Sequence, residues 1–200
     1  MTSRFRSLLL ASALGASAAG VQAQEGLELK TPGVLRVLVQ ADSLKELYAL
    51  DKPSGVEREM LQGFATLHGL EIETVQVATT AEWIPWLLAS KGDVIAGGLV
   101  ATESRKKLVA FSGDTFPIRH LAVNRKPRPP IQTVEALRAE RVAVLKGSSW
   151  AEEALAAGVP KANLDDSYPS GDKLFEALRN GTVSTAVMSV IWAMVERKTD

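Results

Sequence analysis

The chain is 200 residues long, 46% hydrophobic, with 23 basic residues, 23 acidic residues and no cysteine. Zero net charge offers no field for nucleic acid or an anionic membrane, so neither partner is expected. Without thiols there is no disulfide framework, cysteine nucleophile or thiolate metal site. The two histidines, His68 and His120, are far apart and in no ligand-spaced motif, so no metal or cofactor is expected.

Residues Met1 to Ala23 open with Arg4 and Arg6, pass through the apolar Leu8-Leu9-Leu10-Ala11, and end in Val21-Gln22-Ala23. That order predicts a secretory signal peptide over 1–23, cut before Gln24, and therefore a periplasmic protein. An uncleaved anchor is the alternative, but the apolar run is short and rich in Ala, Gly and Ser. The remaining 177 residues carry 21 basic and 23 acidic groups, enough chain for one domain or two small lobes.

Val34-Leu35-Arg36-Val37-Leu38-Val39 reads as a strand buried on both faces, and Asp42 to Pro53 as a polar loop. From Val56 to His68 the apolar residues Val56, Met60, Phe64 and Leu67 recur near helical spacing, with Glu57 and Glu59 on the wet face. Gly69 ends this helix, and His68 reads as a cation at its C-terminus. Glu71 to Val77 alternates strictly, as a strand with one wet face does. Thr80 can cap a helix over Ala81 to Lys91, with Pro85 in its first turn. Its residues Trp83 and Trp86 can serve either as core or as ligand-stacking rings.

The next stretch, Asp93 to Ser112, carries the chemistry. A short strand, Asp93-Val94-Ile95-Ala96, stops at Gly97-Gly98, where the missing Cβ atoms permit close backbone approach. Thr102 can cap a short helix bearing Arg105, before the chain turns apolar again at Leu108 to Phe111. A glycine turn, a hydroxyl and a guanidinium can together seat a carboxylate. The alternative is a solvated arginine on a surface turn.

Pro117 to Asn124 reads as a strand leaving this first unit, followed by a stiff Pro127-Pro129-Pro130 connection. His120 lies in that strand and is given no role. A helix near Thr133 to Ala139 and the strand Arg141 to Leu145 begin a second unit. Gly147-Ser148-Ser149 then opens a helix over Trp150 to Ala157, as an ordinary cap or as a ligand contact. Ser170 caps a helix from Gly171 to Leu178, Asn180-Gly181 turns, Val183 to Met188 is a strand, and Val190 to Arg197 is helical. Strands alternating with helices predict an α/β fold with parallel sheets.

The pieces from Gly33 onward resemble, in order, the motifs of the family 3 periplasmic solute-binding proteins. Gly33-Val34-Leu35-Arg36-Val37 resembles G-x-L-R-V, and Gly55 to Met60 resembles G-F-D-x-D-L. Ile84-Pro85 with Asp93 to Ala96 is similar to I-P-A-L-x-x-G-K-x-D-V-I-A, and Thr102 to Arg105 with Phe111-Ser112 to T-x-E-R…F-S. Val142-Ala143-Val144 with Gly147-Ser148-Ser149 resembles V-A-V-x-x-G-S-T. The stretch Ala96 to Val100 with Ser104-Arg105 also looks like the amino-terminal domain of membrane-bound lytic transglycosylase F.

The resemblance implies a type II periplasmic binding protein fold, with lobe 1 over 24–115 and lobe 2 over 116–200. Each lobe would be a mostly parallel sheet flanked by helices. It also implies a segment returning to cover lobe 1, which this chain lacks, so exposed apolar surface is expected there. By the same resemblance Arg105 would clamp a ligand carboxylate, with Gly98, Val100, Thr102 and Ser149 also facing the ligand. Two departures bear on the ligand. The family's ammonium-pairing Asp has no counterpart at Val187-Met188-Ser189, and the family's aromatic is Val56, leaving Tyr48 as the one nearby ring.

The expected function is binding of a small carboxylate-bearing or amino-acid-like solute, without catalysis, by a monomer serving an ABC importer permease. The alternatives are a regulatory or sensory domain related to lytic transglycosylase F, and a dehydratase-like enzyme on the same fold.

Overall fold

A computed structural model of the protein describes residues 27–113 and 118–197. The expected signal peptide, and Pro117 at the head of an expected strand, lie outside the described residues. Strand β1 (Val34–Gln40) is the centre of lobe 1, with β2 (Glu71–Val77) and β3 (Val94–Ile95) parallel on either side. Alternation along β1 sends Leu35, Val37 and Val39 to one face with Tyr48 and Ala96. Leu38 goes to the other face with Val77 and Trp83. Two apolar faces on one strand are why β1 reads as an unbroken apolar run.

The start of β3 is fastened by charge. Arg36 donates from Nε and Nη2 to the two Asp93 oxygens at 3.0 and 2.7 Å, and its backbone N–H adds a third bond at 2.9 Å. Burial pushes the Asp93 carboxyl upward, but the hydrogen bonds and charge of Arg36 outweigh it and hold the group below its ordinary range.

The expected loop from Asp42 to Pro53 is instead partly helical. Helix α1 (Lys45–Tyr48) turns Leu47 and Tyr48 into the core, and Tyr48 Oη lies 2.8 Å from Thr74 Oγ1. Tyr48 is therefore a core ring rather than a ligand platform. Four residues are too few to display helical periodicity in sequence. Helix α2 (Val56–Leu67) forms as expected but with a different orientation. Val56, Met60 and Leu67 are 51, 54 and 79% exposed, and Phe64 lies at the surface beside them, while Ala65 is buried. The expected uncovered apolar surface on lobe 1 is present, and it is the very stripe that announced the helix.

A 3-10 turn at Thr80–Glu82 precedes α3 (Trp83–Leu88). Its cap is Thr79, not Thr80: the Glu82 carboxylate accepts from the N–H groups of Ala78 and Thr79 at 2.9 Å each. Trp83 is buried in the core and Trp86 lies under Lys91 Nζ, 4.2 Å from the ring centre. Helix α4 (Glu103–Lys106) follows the Gly97-Gly98 turn, whose φ values of 115° and 89° suit glycine. The apolar stretch Leu108 to Phe111 forms no strand.

Lobe 2 is a four-stranded sheet in the order β4-β7-β5-β6, from β4 (His120–Asn124), β5 (Val142–Leu145), β6 (Leu164–Tyr168) and β7 (Thr185–Ser189). β4 runs antiparallel to β7, and the other pairs are parallel. Strand β6, Leu-Asp-Asp-Ser-Tyr, gave no sequence signal because only its ends are apolar. Helices α5 (Val134–Arg138), α6 (Ser149–Ala156), α7 (Gly171–Asn180) and α8 (Val190–Arg197) complete the lobe. Thr133 caps α5, Ser170 caps α7 through Lys173 N, and Gly181 ends α7 with φ 84°. The core is larger than that of lobe 1: β5 and β7 pack against Trp150, Leu174, Phe175 and Leu178, with Trp192 closing the edge. No helix among the described residues is long and apolar enough to cross a membrane.

Candidate ligand-binding cleft

The lobes face each other at the C-terminal ends of their parallel strands, where α/β sheets gather ligand-binding loops. The cleft there holds a cavity of about 50 Å³. Gln40 and Ser43 come from the end of β1, Gly97 to Val100 from the end of β3, Ser148 and Ser149 from the end of β5, and Ser189 from β7. Trp83, Trp150 and Trp192 supply its apolar walls. The space holds a few waters and is far below the several hundred Å³ of a typical ligand site, so entry of a solute requires the lobes to part.

Contacts across the cleft hold the lobes together. Thr80 donates to the Lys146 carbonyl at 2.7 Å, and Gln40 Nε2 reaches the Pro169 carbonyl at 3.5 Å. Arg105 is the main bridge. Its Nη1 donates to the Val100 carbonyl of its own lobe and its Nη2 to the Gly147 carbonyl of lobe 2, both at 3.0 Å. Glu152 of α6 stands 3.4 Å from Arg105 Nε and takes a 2.8 Å bond from Ser104 Oγ. Arg105 as a whole is only 7% exposed. Burial lowers its proton affinity and the Glu152 carboxylate opposes that shift. Arg105 therefore stays charged, inside the cleft rather than on a solvated turn.

The other expected site residues are arranged around it. Gly98 and Val100 border the cavity, Val100 offering its carbonyl to Arg105. Thr102 accepts from Arg105 N at 3.4 Å as the cap of α4. It shapes the helix that carries Arg105 and is not among the cavity-lining residues. Ser149 is buried at the first position of α6 and borders the cavity.

Two contributors escaped the sequence reading. Glu57, expected on a wet helix face, reaches from α2 to the amides of Gly97 and Gly98 at 2.6 and 3.2 Å. Its acidic position just after Gly55, in register with the glycine turn's need for an acceptor, was the only available signal. His120, given no role, places Nε2 3.3 Å from Ser149 Oγ. Glu153 Oε2 stands 2.7 Å from its Nδ1 but out of hydrogen-bonding line, an electrostatic contact.

A larger concavity of about 550 Å³ lies on lobe 1, behind the same Gly98 to Val100 wall. It is lined mainly by apolar side chains, among them Met60, Phe64, Leu87, Ile95 and Phe111. Its two carboxylates, Glu57 and Asp93, are engaged by Gly97-Gly98 and Arg36, so no free carboxylate among the described residues converges there. The cleft is the better candidate.

Comparisons with known proteins agree with this architecture. Membrane-bound lytic murein transglycosylase F of Pseudomonas putida (strain GB-1) is 30% identical over 145 residues, covering 72% of this chain and 30% of that protein. The Alcanivorax borkumensis protein of the same name is 29% identical over 161 residues, 80% of this chain and 34% of that one. The chain thus spans about a third of the length of these relatives. An ancestral arginine-binding protein bound to arginine superposes with a TM-score of 0.73 at 26% identity, over 84% of this chain and 74% of that one. The holo arginine-binding protein ArgBP of T. maritima gives 0.72 at 28% identity, over 84% and 74%. Residues 35–196 match the family model itself, and the chain belongs to the bacterial extracellular solute-binding proteins, family 3.

Proposed function

We propose that the protein binds a small carboxylate-bearing solute between its lobes, without chemical turnover, and that lobe closure buries it. The observation that carries this reading is Arg105. A charged guanidinium is held almost wholly buried between two lobes, bonded to a carbonyl on each, at the C-terminal ends of four strands. A ligand carboxylate would replace those neutral acceptors with a charged one that matches the planar donor fork of the guanidinium. Gly98, Val100 and Ser149 would line the ligand, and Thr102 would hold α4. The arginine-binding structural neighbours support a ligand with amino-acid-like dimensions.

In this reading the protein is exported through a cleaved signal peptide over 1–23. It acts in the periplasm as a monomer and hands its solute to an ABC permease. The matches to transglycosylase F support a second reading, a regulatory ligand-binding domain using the same cleft.

A thermal melt with a panel of small carboxylates tests the binding. A ligand at a hundred times its Kd adds about 2.7 kcal/mol of stability. A shift that disappears in Arg105→Ala supports the reading. A cooperative melt that no carboxylate moves refutes it, and product formation from a bound carboxylate would replace binding by catalysis.

A further inference from the structure

The cleft contains two buried polar atoms that no group among the described residues satisfies. Ser43 Oγ and Trp83 Nε1 make no hydrogen bond, and both side chains line the cavity. Trp83 is 3% exposed. The two flank Gly97, where a Cβ would stand 2.6 Å from Ser43 Oγ and 3.4 Å from Trp83 Cζ2. The bare glycine therefore leaves room at the point where the hydroxyl and the indole edge converge. An indole N–H can only donate, so whatever satisfies it must accept, and an ammonium cannot.

The same cavity offers an ammonium no counter-charge. None of its described lining residues is Asp or Glu, and Ser189 stands buried at the end of β7. The carboxylates around the cleft are engaged elsewhere. Glu57 serves the Gly97 and Gly98 amides, and Glu152 serves Arg105 and Ser104. Asp42 has one unpartnered oxygen, but it lies against Ser170 and Gly171 at the start of α7 and does not line the cavity. A buried ammonium without a paired charge is heavily penalised.

We propose that the cleft selects amine-free carboxylates bearing an uncharged oxygen, a hydroxyl or a carbonyl, which Trp83 Nε1 and Ser43 Oγ receive. This rests on the carboxylate-binding reading above. Arg105 holds the carboxylate, and the second oxygen accepts the indole N–H. A ligand hydroxyl can also donate to Ser43 Oγ, whereas a ligand carbonyl accepts from it.

The test is calorimetric titration of the purified chain with two matched sets: glutamate, 2-hydroxyglutarate and 2-oxoglutarate, then alanine, lactate and pyruvate. In each set that binds, the hydroxy or oxo acid should bind about tenfold tighter than the amino acid, and Ser189→Asp should narrow or invert that order. Trp83→Phe keeps an aromatic ring but drops the N–H and part of the indole, and Ser43→Ala drops the hydroxyl. Each should weaken the preferred probe about tenfold. Ser43→Ala should do so with the unfolding midpoint unchanged, while Trp83→Phe, at a core residue, should also lower the midpoint. An amino acid that binds as tightly as its amine-free partners overturns the proposal while leaving carboxylate binding intact. So does a preferred probe indifferent to both variants. A chain that melts cooperatively and binds none of the six overturns the carboxylate reading and this proposal with it.

Discussion

Arg105 Nη2 donates to the Gly147 carbonyl at 3.0 Å, so the arginine of lobe 1 is fastened to the turn between β5 and α6 of lobe 2. The lobes can approach closely at this turn because Gly147, at φ 69°, carries no side chain where they meet. A Cβ there would lie 2.8 Å from Ala81 Cβ and 2.9 Å from its Cα. The ligand-gripping residue and the closure contact are thus one feature, which makes closure testable without a ligand.

Gly147→Ala should hold the lobes apart. Small-angle scattering should give a larger radius of gyration than the parent chain, and ligand affinity should fall about tenfold or more as the closed population shrinks. The alanine strain at positive φ adds about 1–2 kcal/mol of local cost. An unchanged radius would mean that the lobes close by another route.

Glu57→Ala removes the acceptor from the amides of Gly97 and Gly98. Leaving part-buried donors unpaired costs about 1–3 kcal/mol, and Glu57→Gln, which keeps one acceptor oxygen, should cost less. Urea denaturation measures both. Equal stability of the two variants would show that the side-chain carbonyl contributes nothing at the turn.

The Arg36–Asp93 pair sets an acid limit. The folded Asp93 carboxyl titrates below the ordinary Asp value of 3.8, so its stabilising contribution is complete above that value and is lost as pH falls through the lower folded one. Asp42 acts in the opposite sense. Burial raises its carboxyl, with hydrogen bonds from its own backbone, Gly171 and Ser170 opposing, so its contribution is full below 3.8 and declines as pH rises through the raised folded value. Stability measured against pH should therefore fall less on the acid side in Asp93→Asn and decline less above pH 3.8 in Asp42→Asn. Unaltered profiles would remove these two groups from the pH response.

The outward face of α2 should be replaceable without loss of fold. Met60→Lys with Leu67→Lys should change unfolding free energy by about 0.5 kcal/mol or less per site, because both side chains are already more than half exposed. Binding of a hydrophobic-surface dye should drop. A large destabilisation would mean that the stripe packs against the protein in solution.

Local pattern announced much of this molecule. Continuous apolar character in β1, strict alternation in β2, and capping hydroxyls at Thr102 and Ser170 each report an interaction made within a few residues. The Gly97-Gly98 turn and its arginine were legible for the same reason: positive φ and a planar donor fork need particular residue types. Short or polar elements were not, since α1 and β6 owe their form to packing and pairing with distant strands.

By itself the sequence determined an α/β chain of strand–turn–helix units, the ordered motifs of its family, and Arg105 as the candidate anchor. Only the tertiary structure decided what those residues face. It turned the apolar stripe of α2 to solvent, put Glu57 under the glycine turn, and set His120 beside Ser149. It also brought Ser43 and Trp83 together around Gly97. The physical reason is range: propensity and capping act over a few residues, whereas a cleft gathers polar groups from strands as far apart in the chain as those of Gln40 and Ser189. Their pairing depends on how the two sheets meet.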